Sequence, residues 1–104
     1  MAQFDVYRNR NRRTQAEIPY LLDLQHALLD PLATRVVAPL VRADAFGKPA
    51  RVLNPVFRVE GKRVIMSTAE LAGVPAKSLG RLVASMASER AAIVAAIDVL
   101  WSGI

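Results

Sequence analysis

The spacing of apolar residues changes along this chain, and that change limits the folds open to it. Through the first two-thirds, apolar residues come in short runs of strand length broken by turn residues. Gln3–Arg8 alternates Phe4 and Val6 with polar neighbours, a period of two. Arg8–Gln15 is polar and reads as a long loop, and Ile18–Leu24 reads as a buried strand with Pro19 at its start or edge. Asp30-Pro31 marks a turn. Val36–Val41 is a third apolar run. Pro39 cannot donate to a ladder, which predicts an edge or bulged strand there. Asp44–Pro55 reads as a connection. Val56–Val59, the turn Glu60-Gly61-Lys62 and Arg63–Met66 then form the clearest hairpin, with Gly61 supplying a positive φ.

Beyond Met66 the period lengthens. Ser67 and Glu70 have capping-box spacing, predicting a short helical turn that Gly73 and Pro75 end. Leu79, Leu82, Val83 and Met86 recur at helical spacing, as do Ile93, Ile97, Leu100 and Ile104. Ala91, Ala92, Ala95 and Ala96 raise helix propensity. The pattern admits one helix over Ser78–Leu100, or a shorter one capped by Ser85 or Ser88. The division adopted is strand-rich 3–67, a helical turn and connection over 68–84, and a C-terminal helix over about 86–101. Strands first and helix last predict a mainly β fold, a small curled sheet or barrel closed by one amphipathic helix. At 104 residues the expectation is one domain, 1–104, with a thin core that dimerisation would supplement.

Composition narrows the chemistry. An apolar content of 53% argues against global disorder. Cysteine is absent, which removes disulfides and thiolate sites and suits a reducing, cytoplasmic setting. The one histidine, His26, excludes a multi-histidine metal site within one chain. No leader pattern opens the sequence, and no apolar run is long enough to span a membrane, so no membrane partner is expected. The net charge is +5, with Arg8, Arg10, Arg12 and Arg13 in one run. Such a run draws nucleic acid or an acidic protein, or simply solvates a loop.

There is no Gly-rich phosphate loop and no serine–histidine–aspartate arrangement. His26, bracketed by Asp23 and Asp30, reads first as a surface or interface residue and second as a general base. Asp5, Asp23, Asp30 and Asp44 have no metal-ligand spacing, so neither metal nor cofactor is expected. Arg42, Arg58 and Arg63, on or near strands, would stabilise phosphate in a metal-free ribonuclease or else simply solvate the strand faces. The ending Leu100-Trp101-Ser102-Gly103-Ile104 is apolar, where most chains end in polar residues. Trp101 reads as a core or dimer residue, or as a recognition anchor. Gly103 lets the chain leave the helix sharply, carrying Ile104 with it.

These pieces together resemble the CcdB family of toxin–antitoxin toxins. The opening Gln3-Phe4-Asp5-Val6-Tyr7 is similar to the family's QFxVY, and Arg35-Val36-Val37-Ala38-Pro39-Leu40 to its RxVxPL. Leu22-Asp23-Leu24-Gln25, Leu29-Asp30, Asn54-Pro55-Val56, Met66-Ser67-Thr68, Ala72-Gly73-Val74-Pro75, Glu89-Arg90 and the Trp-Ser-Gly-Ile end follow in order. The resemblance implies a small SH3-like barrel of the CcdB/MazF type, assembled as a homodimer and non-enzymatic. It implies binding to the DNA gyrase A subunit, trapping of the gyrase–cleaved DNA complex, and neutralisation by a cognate antitoxin with a disordered C-terminal tail. No sequence-specific contact with nucleic acid is expected.

The resemblance places the gyrase contact on Trp101, Ser102, Gly103 and Ile104, with Asp98 beside them. Ser102 stands where the family has its tryptophan, and Trp101 comes one position earlier, about 100° of helix rotation. Asp98 adds a charge that would favour a different partner surface. Antitoxin contact carries over to Gln3, Phe4 and Tyr7 on the first strand and to His26 and Leu28 near the second. Arg12 and Arg13 of the basic loop lie close by, suited to an acidic tail. Two alternatives stand beside the gyrase reading: a metal-independent endoribonuclease of the MazF type, and a family member that has lost gyrase binding.

Overall fold

The computed structural model describes residues 1–103, and Ile104 lies outside them. In chain order the strands are β1 (Asp5–Asn9), β2 (Tyr20–Asp23), β3 (Thr34–Arg42), β4 (Val56–Val59), β5 (Lys62–Met66), β6 (Ala72–Pro75) and β7 (Leu79–Ser85). One helical turn, α1 (Ala43–Phe46), follows β3, and α2 (Arg90–Ser102) closes the described chain. All pairings are antiparallel, in the order β4-β5-β3-β2-β1-β7 with β6 also on β3. The sheet curls into a half-barrel, and α2 packs into its concave side.

Alternation along the strands builds the core. Phe4 and Val6, Tyr20 and Leu22, Ala38 and Leu40, Phe57 and Val59, and Val64 and Met66 all point inward, where Ile93 of α2 joins them. The intervening residues face the convex side, where Tyr7, Val37 and Leu79 form a smaller cluster against Leu21 and Val74.

The strand containing Pro39 is interior, not an edge. β3 meets β2 along one side, and on the other it meets β6 at Thr34–Val37 and β5 at Leu40–Arg42. Pro39 sits at the seam between those two partners, where its carbonyl accepts from Ser67 N at 2.9 Å. A residue without an N–H leaves no donor orphaned at such a seam.

The β4–β5 turn is two residues long, not three. Glu60 and Gly61 have φ of 51° and 76°, and Lys62 already pairs with Val59. Two successive positive φ values are those of a type I′ turn, whose twist matches the flanking strands.

Residues 68–84 begin with the expected helical turn, but two strands then stand in place of a connection. Thr68–Glu70 is one 3-10 turn, and the Ser67 hydroxyl donates to the Glu70 carboxylate instead of capping backbone. β6 and β7 follow, joined by a second 3-10 turn, Ala76–Ser78. β7 pairs with β1 through two register shifts, so its side chains do not alternate strictly. Leu79 packs in the convex cluster and Val83 against the core while Leu82 is exposed, so their helix-like spacing falls on an extended strand and marks no single buried face. Gly80 is required here for room: a Cβ would lie 2.7 Å from the Arg8 carbonyl oxygen. A 3-10 turn over Ala87–Glu89 leads into α2, which begins at Arg90 with no side-chain cap of its own; Ser85 Oγ accepts from the Ala87 N–H at 3.2 Å, at the start of that 3-10 turn, and Ser88 caps nothing.

Candidate functional site

α2 is secured by one face. Ile93 and Ala96 are buried, and Val94 and Ile97 pack against the core. The last turn is open to solvent: Asp98, Trp101 and Ser102 are all exposed, although Trp101 follows Val94 and Ile97 at spacings of seven and four, on the flank of the packed stripe. Trp101 is 69% exposed, the largest apolar side chain open to solvent among the described residues. The helix runs intact through Ser102, whose hydroxyl donates to the Asp98 carbonyl at 2.5 Å. Gly103 caps it in the left-handed conformation (φ 74°, ψ 14°), its N–H reaching the Val99 carbonyl at 3.0 Å. No unwinding compensates the 100° offset of Trp101. Of the residues expected at the gyrase contact, four come together here, and Ile104 lies outside the described residues.

Gln3 and Phe4 lie at the other end of α2. Arg90 donates to Gln3 Oε1 at 3.3 Å and stands over the Phe4 ring, 5.6 Å from its centroid. Phe4 is itself buried, with φ of 70°. Eleven helical steps separate Arg90 from Trp101, about 16 Å. Tyr7 points to the convex side, into the smaller cluster. His26 is exposed, its Nδ1 accepting from the Leu28 N–H at 3.0 Å, and Leu28 is 82% exposed. Arg12 and Arg13 are exposed on the loop beyond the far end of β1. The seven residues expected to meet the antitoxin are therefore strung along β1 and around its two ends, but Phe4 and Tyr7 are buried on opposite sides of the sheet, which leaves Gln3, Arg12, Arg13, His26 and Leu28 to offer surface. On the convex side between that loop and the second 3-10 turn is a groove of about 670 Å³, with Leu21, Pro39 and Val74 among its apolar lining and Asn9, Arg10 and Lys77 among its polar one.

Sequence reasoning missed the centre of the polar network under β1. Arg35 is 1% exposed, and its Nε and Nη2 both donate to Asp23 Oδ2, at 3.1 and 2.5 Å. Its Nη1 donates to Asp30 Oδ1 at 2.5 Å, and Nη2 also reaches the Gln25 carbonyl at 3.2 Å. Asp23 is fully buried, and its other oxygen accepts from Gln25 N at 3.0 Å. The two aspartates that bracket His26 thus serve Arg35. The hydrogen bond from Arg35 holds Asp30 below the usual carboxylate range. Burial, with Asp5 and Asp23 nearby, pushes the Tyr7 hydroxyl up to about 12. Period two offered the one available signal, since Arg35 shares a face with Val37, which is buried. Among the described residues no group of three or more acidic, histidine or cysteine side chains could hold a metal ion. No described helix is long and apolar enough to cross a membrane.

The family model for CcdB protein matches residues 3–103. This chain belongs to the CcdB family. CcdB proteins are toxins of toxin–antitoxin modules, and the half-barrel with its C-terminal helix is a CcdB/MazF-type fold. Solved structures agree at the level of fold. The crystal structure of an Mtb toxin superposes with a TM-score of 0.72 at 18% identity, over 92% of this chain and 99% of that one. The Mycobacterium tuberculosis toxin MazF-mt6 gives 0.67 at 19% identity, over 80% and 85% respectively.

Proposed function

We propose that this CcdB-family chain is a non-enzymatic toxin that acts as a homodimer in the cytoplasm. It binds the DNA gyrase A subunit through the end of α2 and traps the gyrase–cleaved DNA complex. The observation that carries this reading is the exposed end of α2: Trp101, 69% exposed, on an intact, Gly103-capped helix. A fully desolvated tryptophan is the commonest kind of binding hot spot, worth about 2–4 kcal/mol or more when lost. A cognate antitoxin neutralises the toxin by laying its tail along Gln3, His26 and Leu28, drawn in by Arg12 and Arg13.

The test is binding of the purified protein to an isolated gyrase A fragment, beside a truncation lacking Trp101–Ile104. Tight binding that truncation abolishes supports the reading; no binding by the intact protein overturns it. The fold likeness to MazF-mt6 favours one second reading, a metal-independent endoribonuclease. RNA cleavage in the presence of a chelator would establish that activity instead.

A further inference from the structure

The β4–β5 hairpin carries an arrangement that folding alone does not favour. Its closing pair, Val59 and Lys62, is hydrogen-bonded through the two-residue turn, so the next pair, Arg58 and Arg63, is the non-hydrogen-bonded kind. In such a pair the Cα atoms are only about 4.5 Å apart. Both arginines are exposed, and directly opposed like charges destabilise a sheet. Neither forms an ion pair among the described residues; Arg58 donates only to the Gly61 carbonyl at 3.2 Å.

Further cations lie at the same end of the half-barrel, Lys62 and Arg42 by register on the sheet's other face, as partners of inward-facing Val59 and Val64. Lys62 lies over the Tyr20 ring, 5.9 Å from its centroid, and shares one shallow depression with Arg42 and Arg63 and another with Arg8. Arg8 and Arg81 converge on Glu60, at 3.0 and 4.0 Å, and the Tyr20 hydroxyl donates to the same carboxylate at 2.6 Å. Arg42 pairs with Asp44 at 3.0 Å. Glu17 is the remaining acidic residue close by, on the loop whose carbonyl receives the Arg42 N–H. Six cations thus share this end of the half-barrel, with ion pairs to two carboxylates.

We propose that this hairpin end binds a nucleic-acid phosphate backbone without reading its sequence. The chemistry favours phosphate over a protein partner. Protein interfaces centre on apolar and aromatic side chains, with charge depleted at the core. Here the exposed cross-strand pair is two guanidiniums without ion-pair partners, whose planar forks match phosphate oxygens. A phosphate set between Arg58 and Arg63 would cancel the repulsion that the free hairpin bears. The mixed groove beside Arg10, with its apolar floor, has the make-up of a peptide site, so the two surfaces differ in kind. The surface has no aromatic platform and no recognition element for base edges, which is why the binding is independent of sequence.

The experiment uses the full chain and fluorescence anisotropy with labelled single- and double-stranded oligonucleotides of scrambled sequence, from 50 to 200 mM salt. Binding should weaken linearly on logarithmic axes as salt rises, with a slope reporting several phosphate contacts. Arg58→Glu turns the like-charge pair into an opposite-charge one, so its melting temperature should equal or exceed the parent's. Its affinity should nevertheless fall about tenfold at the lowest salt, and its salt slope by about one or two. Polyglutamate of matched charge serves as the protein-like probe. The proposal is overturned by no oligonucleotide binding at 50 mM salt, by unchanged affinity in Arg58→Glu, or by polyglutamate binding as tightly as the oligonucleotides.

Discussion

Replacing Arg35 with methionine tests the account of the polar network directly. The substitution removes four donated hydrogen bonds and leaves the Asp23 carboxylate fully buried without a cation. Breaking a buried pair by removing one partner costs about 3–5 kcal/mol. For a domain of this size that corresponds to a fall in melting temperature of roughly 15 °C or more. The informative comparison is the double variant Arg35→Met with Asp23→Asn. Asparagine keeps an oxygen for the Gln25 N–H and removes the stranded charge, so the double variant should be more stable than Arg35→Met alone. The assay is urea unfolding of the parent, the two single variants and the double variant. Simple additivity of the two substitutions, or a double variant no more stable than Arg35→Met, would refute the reasoning.

Three further outcomes are expected. Gly80→Ala drives a Cβ to 2.7 Å from the Arg8 carbonyl oxygen and should cost about 1–3 kcal/mol in denaturant unfolding, whereas Gly73→Ala, which meets nothing within 4 Å, should change stability by less than about 0.5 kcal/mol. Stability should fall at both pH extremes. Burial pushes Tyr7 and Tyr20 up to about 12, so the unfolded state ionises first and stability declines between pH 10 and 12, a limb that Tyr7→Phe should shallow. Asp30 and Glu60 are held low, by Arg35 and by the Tyr20 hydroxyl respectively, so their contribution is present above the ordinary carboxylate range and is lost as pH falls through their folded values. Reversing Arg12 and Arg13 to glutamate should slow association with an acidic antitoxin tail most at low salt; on-rates unchanged at 10–150 mM salt would remove that loop from the encounter.

The sequence made β1 to β5 legible because their signals are local: alternation over Phe4 and Val6, Gly61 at a turn requiring positive φ, and β-branched residues between turn residues. α2 was legible for the same reason, through its alanines and the spacing of Ile93 and Ile97. β6 and β7 were not. Ala72-Gly73-Val74-Pro75 has little strand propensity of its own and becomes a strand by pairing with β3. β7 pairs with β1 through a bulged register, and its helix-like spacing marks no single buried face. The position of Pro39 misled for a similar reason. An edge strand and a seam between two partners spare the same N–H, and only the long-range pairing tells them apart. At the candidate site, a tryptophan near the end of a helix could be read from the sequence, but its exposure could not. Arg35 was hidden because a lone arginine in an apolar run looks the same whether it faces water or a buried carboxylate.

α2 divides its labour along and around its axis. Ile93, Ala96 and Ile97 hold it to the sheet, while Asp98, Trp101 and Ser102, on its last turn, are exposed. Substitutions on that turn therefore cost the fold less than substitutions at Ile93 or Ala96. The helix can exchange its exposed residues, even their order around the axis, while the sheet keeps hold of its other end.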